Sequence, residues 1–159
     1  MDKIVPCLWF DKNAEEAARY YQRVFPDTRI TRITHTPADY PSGTTGDVIT
    51  VEFTIAGQPF MGMNGGPYFT FTEAVSFAIL CKDQAEVDRL WETLIGDGGQ
   101  ASECGWLKDR FGLSWQIVPK VLPEMLVSED REAARRAMQA MMTMAKLDIA
   151  ALERAFAGG

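Results

Sequence analysis

The sequence has a single histidine, His35, and only three cysteines, Cys7, Cys81 and Cys104, set far apart. With no Cys-x-x-C pair, neither a disulfide framework nor a cysteine zinc site is expected, and the thiols read as free and buried. Positive charge is also scarce. Sixteen Lys and Arg face 22 Asp and Glu, for a net charge of −6, so the basic surface that neutralises nucleic-acid phosphates is missing and nucleic acid is not an expected partner. No apolar run approaches the roughly 18 residues that cross a bilayer, and polar Asp11, Lys12 and Asn13 interrupt the N-terminal stretch too early for a signal peptide. A cytoplasmic protein without a membrane partner is expected. Low-complexity tracts and Pro-, Gly- or Ser-rich linkers are absent as well, so nothing in the composition separates independent domains.

What is present is an ordinary globular balance: 159 residues, 47% hydrophobic and 24% charged. A chain of this size can remove about two-thirds of its unfolded surface from water, so its core needs no covalent support.

Ile4 to Phe10 is a short apolar run, followed by Asn13-Ala-Glu-Glu16, the pattern of a capping box that opens a helix. Ala14, Ala17, Ala18, Tyr21, Val24 and Phe25 then recur at helical spacing until Pro26 stops them. Arg29 to Thr36 is strand-like, and residues 37–46 read as a loop. Ile49, Val51, Phe53 and Ile55 alternate with Thr50, Glu52 and Thr54, the period of a strand with one buried face. Ala56-Gly57 turns the chain into a partner strand, Gln58 to Met63, which ends at Asn64-Gly65-Gly66-Pro67.

The pattern then repeats. Ala74 to Cys81 reads as a strand, Asp83-Gln-Ala-Glu86 as a second capping box, and Val87, Leu90, Trp91, Leu94 and Ile95 as a second helical stripe. Asn13 aligns with Asp83, Glu16 with Glu86 and Tyr21 with Trp91, which points to a duplicated βαβββ module. Each copy closes with a Gly-led strand, from Gly57 and from Gly112. The modules are expected over about 3–66 and 73–119, within a domain of residues 1–119. Residues 120–159 read as a helical extension of that domain, with short helices opened near Pro123, Ser128 and Asp148. Ala134, Ala137, Met138, Met141 and Met142 share one face of the middle helix.

Three strings carry a family resemblance: Leu8-Trp-Phe-Asp-Lys-Asn-Ala-Glu-Glu-Ala17, Asn64-Gly-Gly-Pro67, and the run from Cys104 through Trp106-Leu-Lys-Asp-Arg-Phe-Gly-Leu-Ser-Trp-Gln116 to Pro119. Over about residues 3–119 the chain resembles the PhnB-like proteins, often labelled 3-demethylubiquinone-9 3-methyltransferase. These belong to the vicinal oxygen chelate superfamily with glyoxalase, extradiol dioxygenases and bleomycin-resistance proteins. The resemblance implies an α+β fold, two paired βαβββ modules forming a curved mixed sheet around a cleft, in a homodimer. In the superfamily's metal enzymes, ligands come from the first and fourth strands of each copy. The corresponding positions here are Pro6, Met61, Ser76 and Gln116, a poor set for a hard divalent ion. No metal or other cofactor is therefore expected.

Strand alternation places Pro6, Leu8, Phe10, Thr50, Glu52, Thr54, Met61, Met63, Ser76, Ala78, Ser114, Gln116 and Val118 on the cleft side. Of these, Pro6, Leu8, Glu52, Met61, Met63, Ser76 and Gln116 are the candidate ligand contacts, an apolar wall with a few polar groups, as small-molecule pockets have. Cys7, Trp9, Phe53, Phe60, Phe77, Ile79, Trp115 and Ile117 should pack under the helices. Glu52 has the chemistry of a general base or of a solvated strand carboxylate. His35 reads as a surface histidine. Lys108 to Gly112 reads as a charged hairpin turn, with an anion-holding role for Lys108 or Arg110 as a lesser alternative. The Asn64-Gly-Gly-Pro67 turn leads into Phe69, Thr70 and Phe71 rather than into a helix, so a nucleotide-type methyl donor has no recognisable cradle. The expected function is metal-independent binding of a small, mainly apolar molecule. A metal-dependent lyase, isomerase or dioxygenase, and a non-catalytic dimeric interaction protein, are the alternatives.

Overall fold

The computed structural model describes residues 2–159. The chain divides into two compact units, one ending at Phe71 and the other beginning at Thr72. In the first, β1 (Cys7–Phe10), α1 (Ala14–Val24), β2 (Arg29–His35), β3 (Val48–Ile55) and β4 (Gln58–Asn64) follow one another. Their strands form a sheet in the order β1-β4-β3-β2, with β1 parallel to β4 and the other pairs antiparallel. The second unit repeats the arrangement with β5 (Ser76–Cys81), α2 (Gln84–Gly96), β6 (Gln100–Ala101), β7 (Trp106–Lys108) and β8 (Ser114–Pro119), in the order β5-β8-β7-β6 with β5 parallel to β8. Two four-stranded mixed sheets of identical strand order, each with its helix, make this an α+β fold built from a duplicated module.

Each helix lies on its own sheet through the stripe expected of it. Ala14, Ala17, Ala18, Tyr21 and Val24 are buried, and Tyr21 stacks on Phe53 of β3, ring centres 6.1 Å apart. Val87, Leu90 and Leu94 of α2 are buried, as are Trp115 and Ile117 of β8. The β3–β4 turn puts Ala56 at φ 49° and Gly57 at φ 83°, the paired positive angles of a tight hairpin whose twist matches its strands.

The two helix starts differ. Asp83 caps α2 as expected, its carboxylate accepting from the Glu86 amide at 2.9 Å. Asn13 makes no side-chain cap bond. Instead Asn64, at the end of β4, accepts from the Ala14 amide at 2.9 Å. One of the unsatisfied amides of the helix start is thus supplied with its partner by the sheet rather than by the local sequence.

Beyond β8 come α3 (Val121–Leu126), α4 (Arg131–Met141) and α5 (Ile149–Ala157), the last two capped by Asp130 and Asp148. Leu122, Met125, Ala137, Leu147 and Leu152 form their core. The expected methionine stripe splits. Ala133, Ala134 and Ala137 are buried, whereas Met138 and Met142 stand exposed, because the small alanines are what allow close packing of the helices. The Gln84 side chain fastens this extension to the start of α2, donating to the Leu147 carbonyl at 3.0 Å and accepting from the Ile149 amide at 2.8 Å.

Candidate functional site

In each unit one sheet face is covered by the helix and the other is open, so the candidate residues sort by register. On β1, Leu8 pairs with Gly62, and a Cβ placed on Gly62 would lie 3.2 Å from the Ala14 side chain of α1. Leu8 and Phe10, 5% and 3% exposed, therefore face the helix and not the open side. Cys7 pairs with Met61 and Trp9 with Met63 on the opposite face. This corrects the expected assignment by one residue. Ile4 to Phe10 is apolar almost throughout, so no alternation marks its face, and a slip of one exchanges the two sets. Cys7 as a residue is exposed, its thiol only partly covered, which likewise departs from the expectation of buried cysteines. Pro6 precedes the strand and uses its carbonyl to accept from the Met61 amide at 2.9 Å.

The open face of the first sheet carries Thr34, Thr50, Met63 and Trp9 in one row and Arg32, Glu52, Met61 and Cys7 in the next. Glu52 is not a free carboxylate: Arg32 holds it at 3.0 Å. Near this pair lies a cavity of about 250 Å³ lined by Val5, Arg32, Glu52, Thr54 and Pro59 among others.

In the second unit the expected faces hold. Phe77, Ile79, Trp115 and Ile117 share the helix side; Ser76, Ala78, Ser114, Gln116 and Val118 share the open side with Trp106 and Lys108. Gln116 donates from Nε2 to the Ser76 hydroxyl at 3.0 Å across the parallel β5–β8 pair. That bond fixes the amide and leaves its oxygen free to accept. A cavity of about 310 Å³ lies along β6, β7 and the start of β8, lined by Glu73, Gln100, Ser102, Trp106, Lys108 and Ser114. Its volume is at the small end of ligand pockets.

Two groups in the strings that carry the family resemblance prove structural. Asp109 is 3% exposed. Its carboxylate accepts from the Phe111 amide at 2.8 Å, the Leu113 amide at 3.1 Å and the Trp115 indole at 2.9 Å. It organises the β7–β8 hairpin, with Gly112 at φ 87° closing the turn. The burial of Asp109 was not expected; an Asp two and four residues before amides in a Gly-containing turn is the local signal for it. Asn64-Gly65-Gly66-Pro67 is also explained by packing. A Cβ on Gly65 would come within 2.5 Å of the Trp9 ring, and the Gly66 carbonyl accepts from the Trp9 indole at 2.8 Å. No helix follows this turn, so its amides do not form a phosphate cradle.

Cys81 and Cys7 show no activation. Burial pushes the Cys81 thiol up to about 12, and burial also raises Cys7. His35 is exposed, its Nδ1 2.9 Å from the Gly46 carbonyl. The superfamily metal does not suit the side chains at the corresponding positions. The first sheet offers a thioether, the Cys7 thiol opposite it, whose raised pKa keeps it protonated, and an ion-paired Glu52, and in the second the Ser76 hydroxyl and Gln116 amide are bonded to each other. Among the described residues no group of three or more His, Cys, Asp or Glu is placed to hold a metal ion.

The strand order, the parallel first and last strands of each unit and the duplicated module define an α+β protein of glyoxalase/bleomycin-resistance-like fold. Residues 2–118 match the family model described as 3-demethylubiquinone-9 3-methyltransferase, and the chain belongs to this PhnB-like family. It is similar to the solved PhnB protein of Bacillus cereus, a putative 3-demethylubiquinone-9 3-methyltransferase, at 32% identity over 74% of this chain and 99% of that one, with a TM-score of 0.66. Protein PA1353 of Pseudomonas aeruginosa is 23% identical over 72% of this chain and 95% of its own, TM-score 0.56. The fosfomycin resistance protein FosX of Mesorhizobium loti shares the fold at 19% identity, covering 80% of this chain and all of its own (100%), TM-score 0.54. Among curated proteins none matches the chain. No helix is long and apolar enough to cross a membrane among the described residues.

Proposed function

We propose that this protein binds a small, mainly apolar molecule against its open sheet faces without the superfamily metal. The observation that carries the reading is the Gln116–Ser76 bond at 3.0 Å. It presents an oriented amide oxygen on a surface that carries Ala78, Leu80, Trp106 and Val118 and, further along, Lys108 and Ser114; the open face of the first unit, taken by itself, has Met61, Met63 and Trp9 beside its polar residues. Apolar area with a few fixed polar groups is what binds and orients a small molecule. Leu8, buried under α1, is no longer among the contacts, and Glu52 serves as half of an ion pair rather than as a base.

Methyl transfer, which the family description implies, finds no support in these residues. The glycine turn that would have to hold a methyl-donor nucleotide is filled by Trp9 and followed by no helix.

A thermal-shift screen of neutral apolar compounds against wild type and Gln116→Leu tests the reading. Compounds that raise the wild-type midpoint should raise that of Gln116→Leu much less, while the unliganded variants melt together. Equal shifts in both proteins would overturn it. A second reading has its own observation: Leu80, on the same open face as Gln116, is 57% exposed and Val75 is 62% exposed. This favours a homodimer whose contact covers that face. A Leu80→Glu variant that turns a dimer into a monomer in light scattering would support it, and a monomeric wild type would exclude it.

A further inference from the structure

The fold builds the same cavity twice, and the chain fills the two differently. Glu52 pairs with Met61 as Trp106 pairs with Gln116, and Thr54 pairs with Pro59 as Lys108 pairs with Ser114. The cavity near Thr54 and Pro59 in the first unit thus sits at the place in the module that the cavity of Lys108 and Ser114 occupies in the second. In the first, an acid and a base from adjacent strands, Glu52 and Arg32, neutralise each other. In the second, the β7–β8 pair places two groups able to donate, Lys108 and the Ser114 hydroxyl, side by side. Lys108 carries a positive charge, and across the strand pair the Ser114 hydroxyl is buried, the residue 1% exposed, with no hydrogen-bond partner among the described residues. Directly paired side chains of this kind lie about 5 Å apart at Cβ, close enough to serve one ligand group.

The acid that faces Lys108 is Glu73, and it differs in kind from Glu52. It lies outside any strand, ahead of β5, and its side chain is 63% exposed against 19% for Glu52. An exposed ion pair contributes little to stability, so giving it up costs little. A buried hydroxyl without a partner, by contrast, is costly and calls for one.

From this geometry we infer that the cavity of the second unit is a carboxylate-binding subsite, in which a ligand carboxylate displaces Glu73 from Lys108 and accepts from the Ser114 hydroxyl. Glu73 acts as an internal stand-in that keeps Lys108 neutralised when no ligand is bound. Trp106, which also lines the cavity, offers the ligand's apolar body a ring face, and Gln100 and Ser102 supply further polar contacts at the rim. The ligand class is therefore an aromatic or aliphatic acid. This rests on the small-molecule reading above, since the cavity opens on the same sheet face as Gln116.

Calorimetric titration of the full chain at pH 7 with 2-naphthoate and its neutral counterpart 2-naphthamide tests the inference. Wild type should bind the acid at least about tenfold more tightly than the amide, the scale of one charge-assisted bond. Glu73→Gln, which removes the internal competitor's charge, should strengthen naphthoate binding several-fold and leave naphthamide unchanged. Lys108→Met should abolish the preference for the acid, and Ser114→Ala should reduce it. Equal binding of the two probes by wild type and Glu73→Gln overturns the carboxylate subsite and leaves the apolar-ligand reading standing. Binding of neither probe overturns the subsite as well, and the neutral-compound screen with Gln116→Leu then decides the broader reading by itself. Should Lys108→Met not fold, the wild-type comparison of the two probes and the Glu73→Gln titration still decide for or against the subsite.

Discussion

The Trp115 indole donates to the Asp109 carboxylate at 2.9 Å, inside a hairpin where the same carboxylate takes two backbone amides. A carboxyl side chain 3% exposed needs partners for its oxygens, and the Leu113 amide and Trp115 indole that it serves are themselves buried. Asp109→Ala is expected to cost about 3 kcal/mol in urea unfolding and to weaken the near-ultraviolet signal of Trp115. A loss below roughly 1 kcal/mol would show that the hairpin holds without it.

The cap of α1 allows a comparison within one helix. Asn64→Ala removes the acceptor of the Ala14 amide and the 3.0 Å bond from its amide to the Val48 carbonyl, for an expected loss of about 2 kcal/mol. Asn13→Ala removes no side-chain cap bond and should cost less than about 0.5 kcal/mol. Urea midpoints of the two variants in the reverse order would contradict the cap assignment.

Ser114→Ala should make the protein more stable by about 1 kcal/mol, because a buried hydroxyl without a partner is replaced by a methyl group that needs none. The same substitution should weaken naphthoate binding. A residue that is stabilising when removed and needed when a ligand is present is the expected signature of a site held open for that ligand.

Cys81 sets a pH dependence. Its thiol is raised in the folded protein to about 12, chiefly by burial, with Glu86 adding to the effect. The folded state therefore keeps a proton that the unfolded chain releases near its ordinary value of 9.0. The resulting stability is complete below that value and is lost as pH rises from about 9 to about 12. Unfolding midpoints should fall across this window in wild type and less steeply in Cys81→Ala, and Cys81 should resist alkylation at pH 8 in the native protein.

Much of this fold is legible in the sequence because the two helices and the β3 strand carry strong periodic patterns. Residues 49–55 alternate cleanly, and Val51, Phe53 and Ile55 are indeed the buried set. The capping signal at Asp83 is local and holds, whereas the one at Asn13 is overridden by Asn64, whose place beside α1 depends on β4 pairing with β1. The face of β1 is illegible for a related reason. Seven mostly apolar residues fit either register, and the choice is made by Gly62, whose missing side chain gives α1 and Phe10 their room. The Ser76–Gln116 pair follows from alternation because β5 and β8 mix small polar with large apolar residues. Glu73 as the partner of Lys108 could not be read, since neither residue type nor spacing says where a segment outside the strands will turn.

The proposed ligand binding needs no metal, and a single titration series probes this. The tightest compound from the neutral screen is titrated into chelator-treated protein and into the same protein reloaded in turn with zinc, nickel, manganese and iron. Equal affinity in every preparation is the predicted result. Binding that appears only with one ion, held at about one per chain, would contradict metal-free binding and make Lewis-acid chemistry on a pair of neighbouring substrate oxygens the better reading.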